Sequence, residues 1–231
     1  VLFGCSYTWL HNDTGLQGLL AKYMRRPVFN FAMYAWGGQH TYYLTKKPIL
    51  YKIIENYGYK NPEYIIYTYI RDHVNRVVDA TDDLVHITPQ LNYEIKNNKL
   101  QIKKTNFLKK VVFRLFSYRY LIKKYQLFKE NERYNILYEL LLGSYNQLKK
   151  EYPNTKFIIL KYMQNETPNE NENEMFRKLG ENGVIIISTK ELIDADLKRK
   201  DLTDEDGYHP NTKAWELIVP KLAKKLELFL F

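Results

Sequence analysis

The stretch "VLFGCSYTWL" (residues 1–10) decides the fold. A short apolar run passes directly into Gly4-Cys5-Ser6, with no helix start and no turn before it. This is the pattern of a buried strand that stops at a serine, beside the only cysteine of the chain. Residues 28–32, 64–69, 156–162 and 184–188 read as further strands of the same near-continuous apolar kind. Between them lie helical patterns. In "TGLQGLLAKYM" (14–24) apolar residues recur at positions 16, 19, 20 and 23. Helices are likewise expected over 42–56, 131–150, 170–179 and 212–229, the last with Asn211 as its N-cap. Strands alternating with helices predict an α/β three-layer sandwich around a mainly parallel, five-stranded sheet.

With 231 residues, 45% hydrophobic and 26% charged, the chain reads as one globular domain over 1–231. Residues 80–130 break the rhythm. "LNYEIKNNKLQIKK" (91–104) predicts a hairpin turning at Asn97-Asn98, and a basic helix follows, so the whole reads as an insertion. Residues 101–129 hold nine of the 35 Lys and Arg and no acid; the remaining 26 basic residues balance the 26 acidic ones. That segment is either a solvated amphipathic helix or a contact face for an anionic glycan or a membrane surface. No nucleic-acid motif accompanies it, so no nucleic-acid partner is expected. "NETPNENENE" (165–174) reads as an exposed acidic loop leading into a helix.

One cysteine excludes an internal disulfide and any cysteine-based zinc site. No histidine pair has a metal-ligand spacing, so neither metal nor cofactor is expected. No run of eighteen apolar residues is present and no signal peptide is visible. The chain opens in mid-strand, which leaves two expectations for its place: cytoplasmic, or exported with an N-terminal signal or anchor removed.

Ser6 falls in a strand-to-helix turn at the carboxyl edge of the sheet, where α/β folds place ligands. A serine hydroxyl needs a base, and "TDEDGYHPNTKAW" (203–215) offers one. Asp206 and His209 are three residues apart in a loop, so the carboxylate can hold one imidazole nitrogen while the other faces outward. Cys5 is the competing nucleophile. Strand side chains alternate, so only one of Cys5 and Ser6 can face the histidine.

Together, "FGCSYT" and "DGYHP" resemble the first and last blocks of the SGNH (GDSL-type) hydrolase superfamily, in a form similar to its FGCS(F/Y)T branch. The resemblance covers roughly 1–75 and 131–231. It implies a flavodoxin-like sandwich in which Ser6 is the nucleophile, His209 the general base and Asp206 its orienting acid. It also implies an oxyanion hole built from the Ser6 N–H and two further blocks. The second block, normally a glycine, falls on Ala35 in "NFAMYAWGGQH" (30–40), with Gly37 and Gly38 as alternatives. The third normally supplies an asparagine just after the third strand. Here "IIYTYIRDHVNR" (65–76) puts Arg71, Asp72 and His73 in that place, followed by Asn75. Arg71 or His73 can donate in its stead, whereas Asp72 and Arg76 read as a structural i,i+4 pair. Trp9, Trp36 and Tyr208 are the candidate pocket aromatics, and His11 and Asp13 lie close enough in sequence to join them.

The activity implied is a serine esterase acting on an acyl ester, above all an O-acetyl group on a carbohydrate. The small-molecule or glycan ester is then the partner. An O-acyltransferase on glycans and a catalytically weak glycan-binding protein are the two alternatives.

Overall fold

The structure, a computed structural model, describes residues 1–9, 13–77, 93–97, 99–102, 130–162, 169–193 and 201–229. The basic segment beyond residue 102, with His86 and His11, lies outside the described residues. In chain order the elements are β1 (Leu2–Phe3), α1 (Ser6–Trp9), α2 (Leu16–Met24), α3 (Gly38–Thr45), α4 (Pro48–Asn56), β2 (Tyr64–Tyr69) and α5 (Asp72–Arg76). The hairpin β3 (Tyr93–Lys96) and β4 (Lys99–Ile102) follows. Then come α6 (Glu130–Glu151), β5 (Lys156–Lys161), α7 (Glu170–Glu181), β6 (Ile185–Ser188) and α8 (Thr212–Glu227).

The main sheet is parallel throughout its ladders, in the order β1-β2-β5-β6. The fifth expected strand, 28–32, contributes a single bridge on the outer side of β1, where Leu2 pairs with Asn30. The reason lies in Asn30. Its side chain accepts from the Ala32 N–H and donates to the Thr8 carbonyl, so the backbone turns away after one pair. Counting that segment, the strand order is that of a flavodoxin-like sheet, and the order reverses at β1.

Period-two alternation sends the two faces of β2 to two cores. Ile65, Tyr67 and Tyr69 pack with α3, α4, α6 and α7, while Tyr64, Ile66 and Ile70 pack with α2 and α8. The result is the three-layer arrangement, with helices on both faces of a mainly parallel sheet. The expected helix over 42–56 divides into α3 and α4. Pro48 opens α4, and a residue before proline is driven out of the helical region, as Lys47 is at φ −101 and ψ 127. The hairpin pairs Lys96 with Lys99 across a two-residue loop, and Asn97 takes the left-handed φ of 51 that such a turn requires. Among the described residues, no helix is long and apolar enough to cross a membrane.

Candidate active site

Gly4 sets the direction in which the chain leaves the sheet toward Ser6. Its φ is +147, and a Cβ there would stand 2.4 Å from Thr8 Oγ1 and 3.2 Å from the Thr68 carbonyl oxygen. Only glycine lets β1 turn into α1 while staying this close to β2. Ser6 is then the first residue of α1, above the carboxyl edge of the sheet.

His209 arrives from the other end of the chain. Its loop is closed by the Asp204 N–H donating to the His209 carbonyl at 2.8 Å and by Gly207 at φ +70. Behind it Asn211 caps α8 by accepting from the Ala214 N–H, and its amide also donates to the Thr203 carbonyl. These contacts bring His209 Nε2 to 2.7 Å from Ser6 Oγ, across 203 residues of sequence. On the far side of the ring, Nδ1 is hydrogen-bonded to Asp206 Oδ2. The other Asp206 oxygen accepts from the Tyr208 and His209 amides at 2.8 and 2.9 Å. Burial raises the Asp206 carboxyl, and the bonds from the His209 ring and the two amides outweigh it and hold it down to about 2. It is a carboxylate at any working pH. Tyr7 steadies the loop: its hydroxyl donates to the Tyr208 carbonyl, and its ring packs 5.0 Å from the His209 ring.

These side chains open into a cavity of about 440 Å³. Ser6, Tyr7, Tyr208 and His209 form one bank. Tyr34, Ala35, Ile70, Arg71, Asp72, Asn75 and Arg76 form the other. Ala35 has φ 61, a left-handed conformation that alanine seldom adopts. Among the described residues, neither the Ser6 nor the Ala35 N–H donates to a protein acceptor.

The remaining candidates are placed differently. Cys5 is fully buried within the core on the α2 and α8 side, and burial pushes its thiol up against the opposing charge of Arg76. The Gly37 N–H donates to His40 Nδ1, and Gly38 packs so tightly that a Cβ would meet Leu137 at 2.6 Å. His73 has no exposed surface. Its Nδ1 is 2.6 Å from the Tyr67 hydroxyl, and burial, with the nearby Arg76 and His40, holds the ring well below the ordinary histidine range. It is a neutral core residue, turned to the opposite face from the cavity because α5 points it inward. Trp36 stacks on His40 at 5.1 Å, away from the lining. The side chain of Trp9 lies outside the described residues, and Asp13 is exposed. The aromatic that sequence reasoning missed is Tyr34, 40% exposed at the cavity edge. Its position in the turn before Ala35 was the available signal.

Arg71 lines the cavity but is committed elsewhere. Its Nε and Nη2 reach Glu172 at 3.4 and 3.2 Å. Glu172 is 2% exposed and also accepts from Tyr69 at 2.7 Å and Lys161 at 2.6 Å. The expected Asp72–Arg76 pair is present, with Arg76 Nε 2.7 Å from Asp72 Oδ2, but it stands in the cavity wall and not on a solvated face. Among the described residues, no group of three or more histidine, cysteine, aspartate or glutamate side chains could hold a metal.

The chain is thus a parallel α/β sandwich that carries a serine, a histidine and an aspartate in hydrogen-bonded sequence at its carboxyl edge. The search among solved structures finds that fold in known proteins. The acetyl xylan esterase Est2A from the rumen bacterium Butyrivibrio proteoclasticus aligns over 99% of this chain with 14% identity and a TM-score of 0.54; the chain spans 63% of that protein. A carbohydrate esterase family 3 protein from Talaromyces cellulolyticus aligns over all of this chain and 96% of its own, with 13% identity and a TM-score of 0.52. The lipase Lip_vut3 from a goat rumen metagenome aligns over 96% of this chain and 94% of its own, with 12% identity and a TM-score of 0.53. At these identities the likeness is one of fold, and it is the fold the SGNH resemblance implies. No family model and no curated protein matches the chain.

Proposed function

We propose that the protein is a serine esterase that hydrolyses acyl esters, in particular O-acetyl groups on carbohydrate. The observation that carries this reading is the 2.7 Å contact between Ser6 Oγ and His209 Nε2 inside a cavity. The Ser6 hydroxyl donates to Nε2, and the Nδ1–H donates to Asp206, which fixes the tautomer a base requires. Ser6 Oγ adds to the ester carbonyl carbon as its proton passes to Nε2. The oxyanion accepts from the N–H groups of Ser6 and Ala35. The C–O bond to the alcohol breaks, and His209 returns the proton to the departing oxygen. Water then repeats the sequence on the acyl-serine, releasing the acid and restoring Ser6. Asp206, ionised throughout, stabilises the imidazolium in both halves.

Carbohydrate as the alcohol rests on the fold shared with acetyl xylan and carbohydrate esterases, and on Tyr34 and Tyr208 at the cavity rim, whose faces suit sugar rings. The test is hydrolysis of a small acetyl ester and of acetylated oligosaccharides, together with labelling by a serine-directed fluorophosphonate. Wild-type protein is expected to turn over both substrates and to take the label on Ser6. Turnover that survives Ser6→Ala overturns the assignment.

A further inference from the structure

We propose that the guanidinium of Arg76 is the side-chain donor of the oxyanion pocket, in the place the SGNH resemblance gives to an asparagine. This deepens the esterase reading and rests on it.

Four residues after β2 carry side-chain N–H donors, and they differ in burial and in what already holds them. Arg71 is held by Glu172 through two nitrogens. His73 is buried in the core against Tyr67. Asn75 is exposed, its amide oxygen accepting from Arg133 at 2.9 Å and its amide nitrogen lying 3.5 Å from Asp72. Among these donors, of those in the lining Arg76 is the most deeply buried and, unlike Arg71, is not drawn toward Glu172. Its side chain is 17% exposed. Nε and Nη2 bond one oxygen of Asp72, at 2.7 and 2.6 Å, and Nη1 bonds the Trp36 carbonyl at 3.0 Å. A guanidinium carries five N–H bonds, so two remain, and one of these lies within reach of the Cys5 thiol.

Position and preorganisation favour the same assignment. The charge of Arg76 reaches the Cys5 thiol, one residue before the nucleophile. Its side chain grips the carbonyl next to Ala35, and Gln39 Nε2 donates back to the Arg76 carbonyl at 2.9 Å. The cation is thus fixed before substrate arrives, and a fixed donor in a partly dry site stabilises developing negative charge without reorganising. Asp72 offsets enough of the charge to keep the cation buried, which lysine, a single point donor, cannot reproduce.

The experiment is steady-state hydrolysis of a small acetyl ester, with melting temperature measured alongside, for wild type, Arg76→Met and Arg76→Lys, and for Arg76→Met with millimolar ethylguanidinium added. The expected result for Arg76→Met is a fall in kcat of about 10²–10³-fold with KM little changed, as for loss of one oxyanion donor. Ethylguanidinium is expected to restore at least tenfold of it. Where Arg76→Met does not fold, Arg76→Lys decides, with kcat expected to fall tenfold or more. A folded Arg76→Met, or an Arg76→Lys standing in for it, with kcat within threefold of wild type overturns the assignment and leaves the esterase reading intact. So does a loss carried by KM alone. A wild type that neither turns over the ester nor takes the fluorophosphonate overturns both.

Discussion

On one bank of the cavity stand Ser6 and His209, with Asp206 behind the imidazole ring; on the other stand Ala35, Arg71 and Arg76. The first bank is made of side chains bonded to one another in short local segments, and it is open, with the Asp206 side chain 45% exposed. The second is made of backbone conformation and buried charge. Ala35 is held at φ 61, Arg71 shares Glu172 with Lys161 and Tyr69, and Arg76 joins α5 to the turn before α3. The bonds of the first bank stay within exposed loop and helix-start segments, so changing a side chain there alters chemistry more than it alters the fold. On the second, Arg71 and Arg76 also tie elements together, so rate and stability move jointly there.

The largest effect tests the first half of that contrast. On the proposed esterase reading, Ser6→Ala is expected to lower kcat by about 10⁶-fold, the cost of losing a serine nucleophile, with little change in melting temperature. Asp206→Asn follows, at about 10³–10⁴-fold in kcat. The amide cannot stabilise the imidazolium and favours the wrong tautomer, but water reaches this exposed position and softens the loss. A melting temperature reduced by more than a few degrees in either variant would break the comparison.

Glu172 tests the second half. Its carboxylate is nearly fully buried and joins Arg71, Lys161 and Tyr69, so Glu172→Ala leaves two cations facing each other without it. Breaking a buried pair from one side costs about 3–5 kcal/mol, read as the urea midpoint. Burial raises this carboxyl, and the bonds from Arg71, Lys161 and Tyr69 outweigh it and set it below its ordinary value. A depressed carboxyl contributes stability that is complete above the unfolded value, about 4.3, and is lost as pH falls through the lower folded value. Urea midpoints of wild type are therefore expected to drop below about pH 4 more steeply than those of Glu172→Gln. Parallel curves would show that the cluster contributes nothing to the acid limb.

The same contrast explains what was legible in sequence. The first bank was legible in part: the three-residue spacing of Asp206 and His209 lets that carboxylate and ring meet, whereas the 203 residues between Ser6 and His209 were bridged only by the SGNH resemblance. Strands 64–69 and 156–161 were legible, since apolar runs of that length have no other place than the middle of a sheet. The second bank was not. Arg76 was visible only as a helix partner of Asp72, because nothing in its neighbourhood announces the carbonyl of Trp36, 40 residues away. His73 carried the right chemistry in the right block, yet the phase of a five-residue helix turned it inward. The division of 42–56 was legible in Pro48 and was overridden by the helical periodicity on either side. The fifth strand failed for want of one side chain: Asn30 spends its amide on Thr8 and Ala32, and the ladder ends there.

Ala35→Gly gives the smallest effect and the sharpest separation of the two banks. At φ 61 alanine bears about 1–2 kcal/mol of left-handed strain that glycine does not. Glycine also gains freedom in the unfolded chain, which takes back about 0.4–1 kcal/mol. The net expectation is a gain of about 0.5–1 kcal/mol, or roughly 2 °C in melting temperature for a chain of this size. The rate has a separate determinant. If the Arg76 bond to Trp36 and the Gln39 bond to Arg76 hold the turn, the Ala35 N–H keeps its direction without the methyl group, and kcat stays within about twofold. If the methyl group is what limits the turn, the glycine variant becomes more stable and slower together. The first outcome assigns the geometry of the donor to the buried network, and the second assigns it to Ala35 itself. A variant that is both less stable and slower would contradict the strain argument, because relieving a left-handed alanine cannot by itself weaken the fold.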